Sequence, residues 1–469
     1  MLGEYGLDRE KIDDIYDTII IGGGIVGAGV FREHSLHGLK SLLLDQADFN
    51  SQTSQGSSKM LHGGIRYLEN MDFALVFEAL KEKNLWLKLT PHVSKEVPFY
   101  LPIYKESKWP LPFLRIGLFL YDLLSLFKNS SHKVYNKKNT LKAIPGLKSD
   151  GLRGSGMYFD GIVDDSKLGL ECIYDALNNP NCQALNYKKV IKLIKNNDHY
   201  EVTYQDVLSG EEEIKFSKSV IMATGPFTDQ VMKKLNIPWD NLILPSKGTH
   251  LWLKKDALAI KDAMVLQTAD MRIIFVIPQR NAILVGTTET PLDPNEEFLD
   301  IQPTEEEITY LLESVNEYFP TSNVGKDAIL SSFSAVRPLV RAGTSSSKTS
   351  RTHKVLEPQE NLFVIVGGKY TTFRRMAFDI NKKLFKSLGI KHQKDITLRP
   401  LRTTSVVKDP FGQKITQANI QDVIDNEMVR TREDLISRRL SFPSTRHLNN
   451  DELSNMLDNV DLKSIPKSK

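Results

Sequence analysis

The sequence predicts an α/β fold: a mostly parallel sheet punctuated by glycines, interrupted by an inserted antiparallel-sheet block and followed by a short helical C-terminal region. Three observations predict it. Tyr16 to Ile21 (YDTIII) is a β-branched run that stops on three glycines and continues into an apolar helical pattern. Two later strand-like runs also stop on glycine, one at Ala223-Thr224-Gly225-Pro226 and the other, Asn361 to Val366, at Gly367-Gly368-Lys369. Between them, over roughly 238–354, HLWLK, RIIFVIP and AILVGTTE read as strands of a separate block.

The chain has 469 residues, enough for about three domains or one large enzyme body with additions. With 41% hydrophobic and 25% charged residues, disordered, collagen-like and coiled-rod classes are excluded. A net charge of +3 is too balanced for bulk attraction to nucleic acid, and no nucleic-acid partner is expected. Cys172 and Cys182 lack Cys-x-x-Cys spacing and histidines do not cluster, so neither a disulfide framework nor a metal site is expected. A reducing, cytoplasmic setting fits, and MLGEYGLDREKIDDIYD lacks the apolar run of a secretory signal.

Taken in order, the first element is a strand, tight turn and helix in which Gly22, Gly24 and Gly27 match G-x-G-x-x-G. The next strand, Ser41 to Leu44, ends on Asp45, about 20 residues on, where a dinucleotide fingerprint places the acid that holds a ribose. Gly22 permits the turn, Gly24 lets backbone approach a pyrophosphate, and Gly27 lets helix and strand pack closely. The serine-rich SQTSQGSSK then closes on His62-Gly63-Gly64-Ile65-Arg66-Tyr67, where paired glycines suggest backbone brought near a ligand. Phe73 to Leu89 reads as a core helix.

Trp109 to Phe127 is apolar but carries Arg115 and Asp122 seven residues apart, on one helical face. That pattern is a poor membrane span; it fits a helix packed on the body with one wet stripe, or an interfacial helix. KKVIKLIK, YEVTYQDV and EEIKFSKSVIM read as an antiparallel ribbon turning at Ser209-Gly210 and returning to a buried strand. Thr304 and Glu307 form a capping box at a helix start, and Ser345 to Ser350 reads as a surface loop. The helix after Lys369 ends at Gly389, and the tail carries helical patterns over Gln417–Met428 and Asp434–Leu440, the second capped by Thr431.

YDTIIIGGGIVGAG, TSQGSSKMLHGGIRYLE, VDDSKL, ATGP, KGTH, RIIFVIP, VRPL and GGKYTTFR, in this order, resemble the FAD-dependent glycerol-3-phosphate dehydrogenase family. The likeness runs from about Tyr16 to about Ile390, and DNEMVRTREDLISRRLSF resembles part of that family's C-terminal helical domain. It implies a Rossmann-like FAD-binding domain of glutathione-reductase type over 12–95, 150–237 and 355–390. The implied substrate domain covers 96–149 and 238–354, and a shortened helical region 391–469. Asp45 stands where glutamate is common in the family, which changes reach but not charge.

The implied reaction is oxidation of sn-glycerol 3-phosphate to dihydroxyacetone phosphate, with noncovalent FAD and electrons passed to membrane quinone. Such a reaction needs a base for the hydroxyl proton and a clamp for the phosphate dianion. The resemblance implies His250 as base, Arg66, Arg272 and Arg337 near the substrate with Tyr67 beside them, and Lys369 serving both substrate and flavin edge. By itself His250 is more simply a satisfied surface or core histidine, and each arginine a surface residue. Ser57, Ser58, His62, Gly63, Gly64, Thr224, Gly225, Gly368 and Thr371 are assigned to the cofactor. A peripheral membrane contact on the cytoplasmic face and a homodimer remain open. So do three rivals: a soluble oxidase using oxygen, an amine or amino-acid oxidase, and a flavin-binding scaffold without catalysis.

Overall fold

The computed structural model describes residues 15–279, 281–341, 349–350, 352–406, 416–442, 455 and 457. The N-terminal segment read as lacking a secretory signal and residues 345–348 of the expected Ser345–Ser350 loop lie outside these.

Tyr16–Ile21 pairs in parallel with Ser41–Leu44 on one side and Glu212–Met222 on the other. Leu362–Gly367 and Cys182–Leu185 extend the parallel sheet outward, so all five strands point their carboxyl ends the same way. These runs are apolar without alternation because both faces are covered. Ile20, Leu43, Ile221 and Phe363 pack under the helices Ile25–Leu36, Asp165–Ala176 and Phe373–Ser387. Ile19, Leu42, Val220 and Val364 pack on the opposite side, against the ribbon Lys188–Lys195/Tyr200–Asp206 and the helix Thr228–Lys234.

The second sheet has eleven strands among the described residues. Within it Ile243–Lys254 runs antiparallel to Ile329–Arg341 on one side and Ala282–Gly286 on the other. Glu305–Tyr318 covers one face through Leu311, Leu312 and Val315, and Phe73–Leu89 with Leu111–Leu124 cover the other through Val76, Leu80, Leu118 and Tyr121. The capping box at Thr304 and Glu307 is present.

Four expectations need correction. Leu152–Val163, assigned by the boundary at 150 to the FAD-binding domain, pairs along its length with Ser94–Tyr104 and belongs to the second sheet. Its glycines hide the signal: a Cβ at Gly156 would stand 2.6 Å from Leu114, so the strand is shaped to admit a helix. The helix Phe73–Leu89 is not core on every apolar position, since Phe73 and Phe77 are exposed. Leu111–Leu124 keeps Arg115 exposed but turns Asp122 inward, so the two do not share one wet stripe. Asp122 is buried, accepting from the His132 backbone N–H at 3.1 Å and pairing with its Nδ1 at 2.7 Å, while Phe113, Ile116 and Phe119 face outward. Finally, Thr349–Ser350, at the end of the expected loop, pair with Val340 and Arg341.

The C-terminal region has its own small core of Ile420, Val423, Leu435, Leu440 and Phe442. Gln417–Asn426 is helical, and Thr431 accepts from the Asp434 N–H at 3.2 Å at the start of the Asp434–Arg439 turn. Arg438 and Arg439 both reach back to Asp48, just after the second strand of the parallel sheet. Among the described residues no helix is long and apolar enough to cross a membrane.

Candidate active site

The parallel strands all end at one crevice, the usual ligand position in an open α/β sheet. Strand order fixes the sequence of loops along it: Gly367-Gly368-Lys369, then Ala223-Thr224-Gly225, then Gly22-Gly23-Gly24, then Asp45. The crevice is a cavity of about 380 Å³. Gly22, Gly24, Asp45, Thr224 and Gly225 line it with Ser57, Ser58, His62, His250, Arg337, Gly368 and Lys369.

Gly22 sits at φ +105°, and a Cβ there would stand 2.5 Å from the Ala223 carbonyl oxygen. No other residue allows the two strand ends to approach so closely. A Cβ at Gly27 would stand 1.9 Å from the Gly22 oxygen, so the third glycine serves packing of the helix on the turn. Asp45 accepts from the Gly23 N–H at 2.6 Å and the Ala47 N–H at 2.9 Å. Burial pushes its carboxyl up to about 6 against those two donors. The first helical N–H, that of Ile25, donates to Ser54 Oγ at 2.9 Å, a cap that the serine-rich stretch did not announce.

That stretch holds the base candidate. His250 lies in the strand Ile243–Lys254, stacked on Phe333 with ring centroids 5.0 Å apart and an interplanar angle of 9°. Its other face rests on Gly286, where a Cβ would stand 2.2 Å from His250 Cδ2. Ser58 Oγ is 2.9 Å from Nε2, and Nδ1 is buried without a hydrogen-bond partner among the described residues. Burial, reinforced by Arg337 and Lys59, holds the imidazole well below its usual pKa, so the ring is neutral at physiological pH.

Arg337 is pinned by its own sheet. Its Nη2 donates to Thr287 Oγ1 at 2.7 Å and the Thr288 carbonyl at 2.8 Å, and Nη1 to the Lys247 carbonyl at 3.2 Å. A Cβ at Gly248 would stand 2.2 Å from Nη2. Lys369 follows Gly367 and Gly368, both at positive φ, and its Nζ lies 3.7 Å from the centre of the Tyr67 ring. The helix, expected from Thr371, begins only at Phe373 after a 3-10 turn over Tyr370–Thr372, so Lys369 stands one turn ahead of it. Thr371, buried in that turn, accepts from the His62 N–H at 3.2 Å and joins the two loops.

Gly63 donates to Asp160 Oδ1 at 3.1 Å, an oxygen that also accepts from Tyr121 at 2.8 Å. Gly64, at φ +75°, turns the chain into Ile65–Asn70. Arg66, Tyr67 and Arg272 do not line the crevice. Tyr67 abuts it through Lys369, Arg66 is exposed, and Arg272 lies on the outer surface with Nε 3.1 Å from Asp270 and Nη1 donating to the Glu289 carbonyl at 3.0 Å. Sequence reasoning missed Gly248, Gly286, Thr287 and Asp165. The signal for the first two was glycine inside strand-like runs, which marks close approach of another group.

Residues 17–372 match the model of the FAD dependent oxidoreductase family. The chain is 35% identical over 399 residues to the mitochondrial glycerol-3-phosphate dehydrogenase of Bos taurus, covering 80% of this chain and 54% of that one. It is 34% identical over 407 residues to the aerobic glycerol-3-phosphate dehydrogenase of Staphylococcus haemolyticus, covering 85% and 72%. The chain thus spans about half the length of the mitochondrial relatives it matches. Its fold is similar to that of the Bacillus halodurans glycerol-3-phosphate dehydrogenase complexed with FAD, with TM-score 0.76, 23% identity, and coverage of 97% and 90%. The glycine turn at a helix N-terminus, with an acid at the next strand end, suits the pyrophosphate and ribose of FAD, the cofactor of this family. By family model and by relatives at this identity, the chain belongs to the FAD-dependent glycerol-3-phosphate dehydrogenases.

Proposed function

We propose that the chain oxidises sn-glycerol 3-phosphate to dihydroxyacetone phosphate. The observation that carries this reading is a neutral His250 and a pinned Arg337 lining the same cofactor crevice as Lys369. When bound, FAD supplies the acceptor for the hydride leaving carbon 2 of the alcohol. His250 takes the hydroxyl proton, which a charged imidazole could not do. Arg337 offers an immobile guanidinium to the phosphate, so little side-chain freedom is lost on binding. Lys369, set against the Tyr67 ring, would add a cation for the flavin. Thr224, Gly225 and the glycine turn hold FAD without a covalent link.

The acceptor we assign is quinone at a membrane surface. Supporting this, Trp109, Phe113, Ile116, Phe119, Leu123, Leu126 and Phe127 form an exposed apolar and aromatic face beside the exposed Lys105, Arg115 and Lys128. Such a face suits an interfacial helix on an anionic bilayer.

The test is anaerobic addition of sn-glycerol 3-phosphate to FAD-loaded protein, with glycerol and a D-amino acid as controls. Bleaching by glycerol 3-phosphate alone is expected, and His250→Ala should slow it about 10²- to 10⁴-fold with FAD retained. A flavin bleached by the amino acid instead, or a His250→Ala variant at full rate, overturns the reading.

A further inference from the structure

Resting on the reading of His250 as base, we propose that Ser58 is a positioning residue that holds the His250 ring in one orientation and one tautomer. Ser57, Ser58 and Lys59 form a single device. Ser57 Oγ donates to Asp165 Oδ2 at 2.6 Å, and Lys59 Nζ meets Asp165 Oδ1 at 2.7 Å, so the residues on both sides of Ser58 are tied to one carboxylate at the start of the helix Asp165–Ala176. Asp165 is fully buried, and Lys59 is nearly so. Lys59 Nζ also lies 5.4 Å from the centre of the Phe333 ring, the same ring that stacks on His250.

His250 is therefore gripped on three sides: Phe333 on one face, Gly286 on the other, and Ser58 Oγ at the Nε2 edge. The tautomer follows from the remaining nitrogen. Nδ1 is buried and has no hydrogen-bond partner among the described residues. A buried N–H without an acceptor is rarer and less tolerable than an unused lone pair. The hydrogen accordingly sits on Nε2 and is donated to Ser58 Oγ, which leaves the lone pair on Nδ1 with no competing donor. The charges facing the ring are Arg337, from the neighbouring strand, and Lys59, itself balanced by Asp165. Both cations disfavour imidazolium, and Ser58 selects which neutral form persists. This assigns to Ser58 a role toward the base and not toward the cofactor.

The first measurement is a long-range proton–nitrogen NMR correlation on FAD-loaded protein carrying nitrogen-15 histidine, with the His250 signal identified by its loss in His250→Ala. The Nε2–H form is expected; an Nδ1–H form overturns the proposal whatever the enzyme turns over. The second is the rate of anaerobic flavin reduction by sn-glycerol 3-phosphate as a function of pH in Ser58→Ala and Ser58→Thr. Ser58→Ala should lose at least about tenfold in rate and shift the acid limb, with substrate and FAD dissociation constants within about twofold of wild type. Ser58→Thr, which keeps the hydroxyl, should recover most of the rate. Wild-type rate and pH profile in Ser58→Ala, or equal weakening of FAD binding and rate in both variants, overturns the positioning role. A wild-type flavin that glycerol 3-phosphate does not reduce overturns the functional reading instead, while the NMR result still decides the tautomer.

Discussion

Two glycines in the second sheet matter as much as the imidazole and guanidinium they support. Gly286 and Gly248 lie where a methyl group would strike His250 Cδ2 and Arg337 Nη2, each at 2.2 Å. Both contacts are with side chains that the site needs in fixed positions. Gly286→Ala is expected to displace the imidazole by an ångström or so and slow flavin reduction about 100-fold, with FAD content unchanged, as read by stopped-flow absorbance. Arg337 has two separable effects. Its removal in Arg337→Met should weaken substrate binding about 10- to 100-fold, the size of a lost charge-assisted hydrogen bond. It should also relieve part of what keeps His250 neutral, because a nearby cation opposes protonation. The His250 pKa then rises, and the pH at which flavin reduction falls on the acid side moves upward in the variant. An unmoved acid limb would show that Arg337 does not set the charge state of the base.

At the scale of elements, the helix Leu111–Leu124 buries a carboxylate beside its apolar anchors and leaves a second apolar face outside. Leu118, Tyr121 and Asp122 face the body, and Tyr121 spends its hydroxyl on Asp160, the residue that also accepts from Gly63. Phe113, Ile116, Phe119 and Leu123 are left facing outward, where contiguous exposure marks an interaction surface. Each buried aromatic anchor stabilises interfacial binding by about 1.5–3 kcal/mol. Phe113→Ser combined with Phe119→Ser is thus expected to lower partition onto anionic vesicles by about 100-fold or more in a flotation assay, while anaerobic flavin reduction in solution stays intact. Equal flotation of variant and wild type would remove this face as the docking surface. The segment's content and periodicity were legible in the chain. Its orientation was not, because Arg115 and Asp122 share a helical face by spacing, yet Asp122 finds His132 and turns inward. A partner ten residues away in the chain, brought round by a turn, outweighed the pattern.

Across the whole molecule, the C-terminal region is fastened to the parallel-sheet domain by buried charge. Arg438 and Arg439 converge on Asp48, and Arg438 also reaches Asp434 at 2.7 Å. Burial alone would raise the Asp48 carboxyl, but the Arg439 and Arg438 guanidiniums override it and hold it at about 2. Because that lies below the value in an unfolded chain, the pairing contributes its full stability above about pH 4 and loses it as pH falls toward 2. The contribution is about 2 kcal/mol. Acid titration followed by limited proteolysis should show the region near Asp434 becoming cleavable across that window. Arg439→Met, which leaves a buried carboxylate short of its partner, should destabilise the fold by about 3–5 kcal/mol and make the region cleavable near neutral pH.

Legible in the chain were the glycine turn, the acid at Asp45, the strands that stop just before Thr224 and Gly368, and the capping box at Thr304. Each is a local matter of backbone freedom, side-chain reach or apolar period, and the residues concerned are neighbours in the chain. Family motifs also pointed to His250, Arg337 and Lys369 as a group. Only the tertiary structure decided that Leu152–Val163 joins the second sheet, that Arg272 lies on the outer surface, and that the helix Leu111–Leu124 shows its apolar face. It alone brought Ser58 to the imidazole and set Gly286 and Gly248 against the His250 ring and the Arg337 guanidinium. Those outcomes depend on pairings between residues tens to hundreds of positions apart, where burial and a specific partner outweigh any local preference.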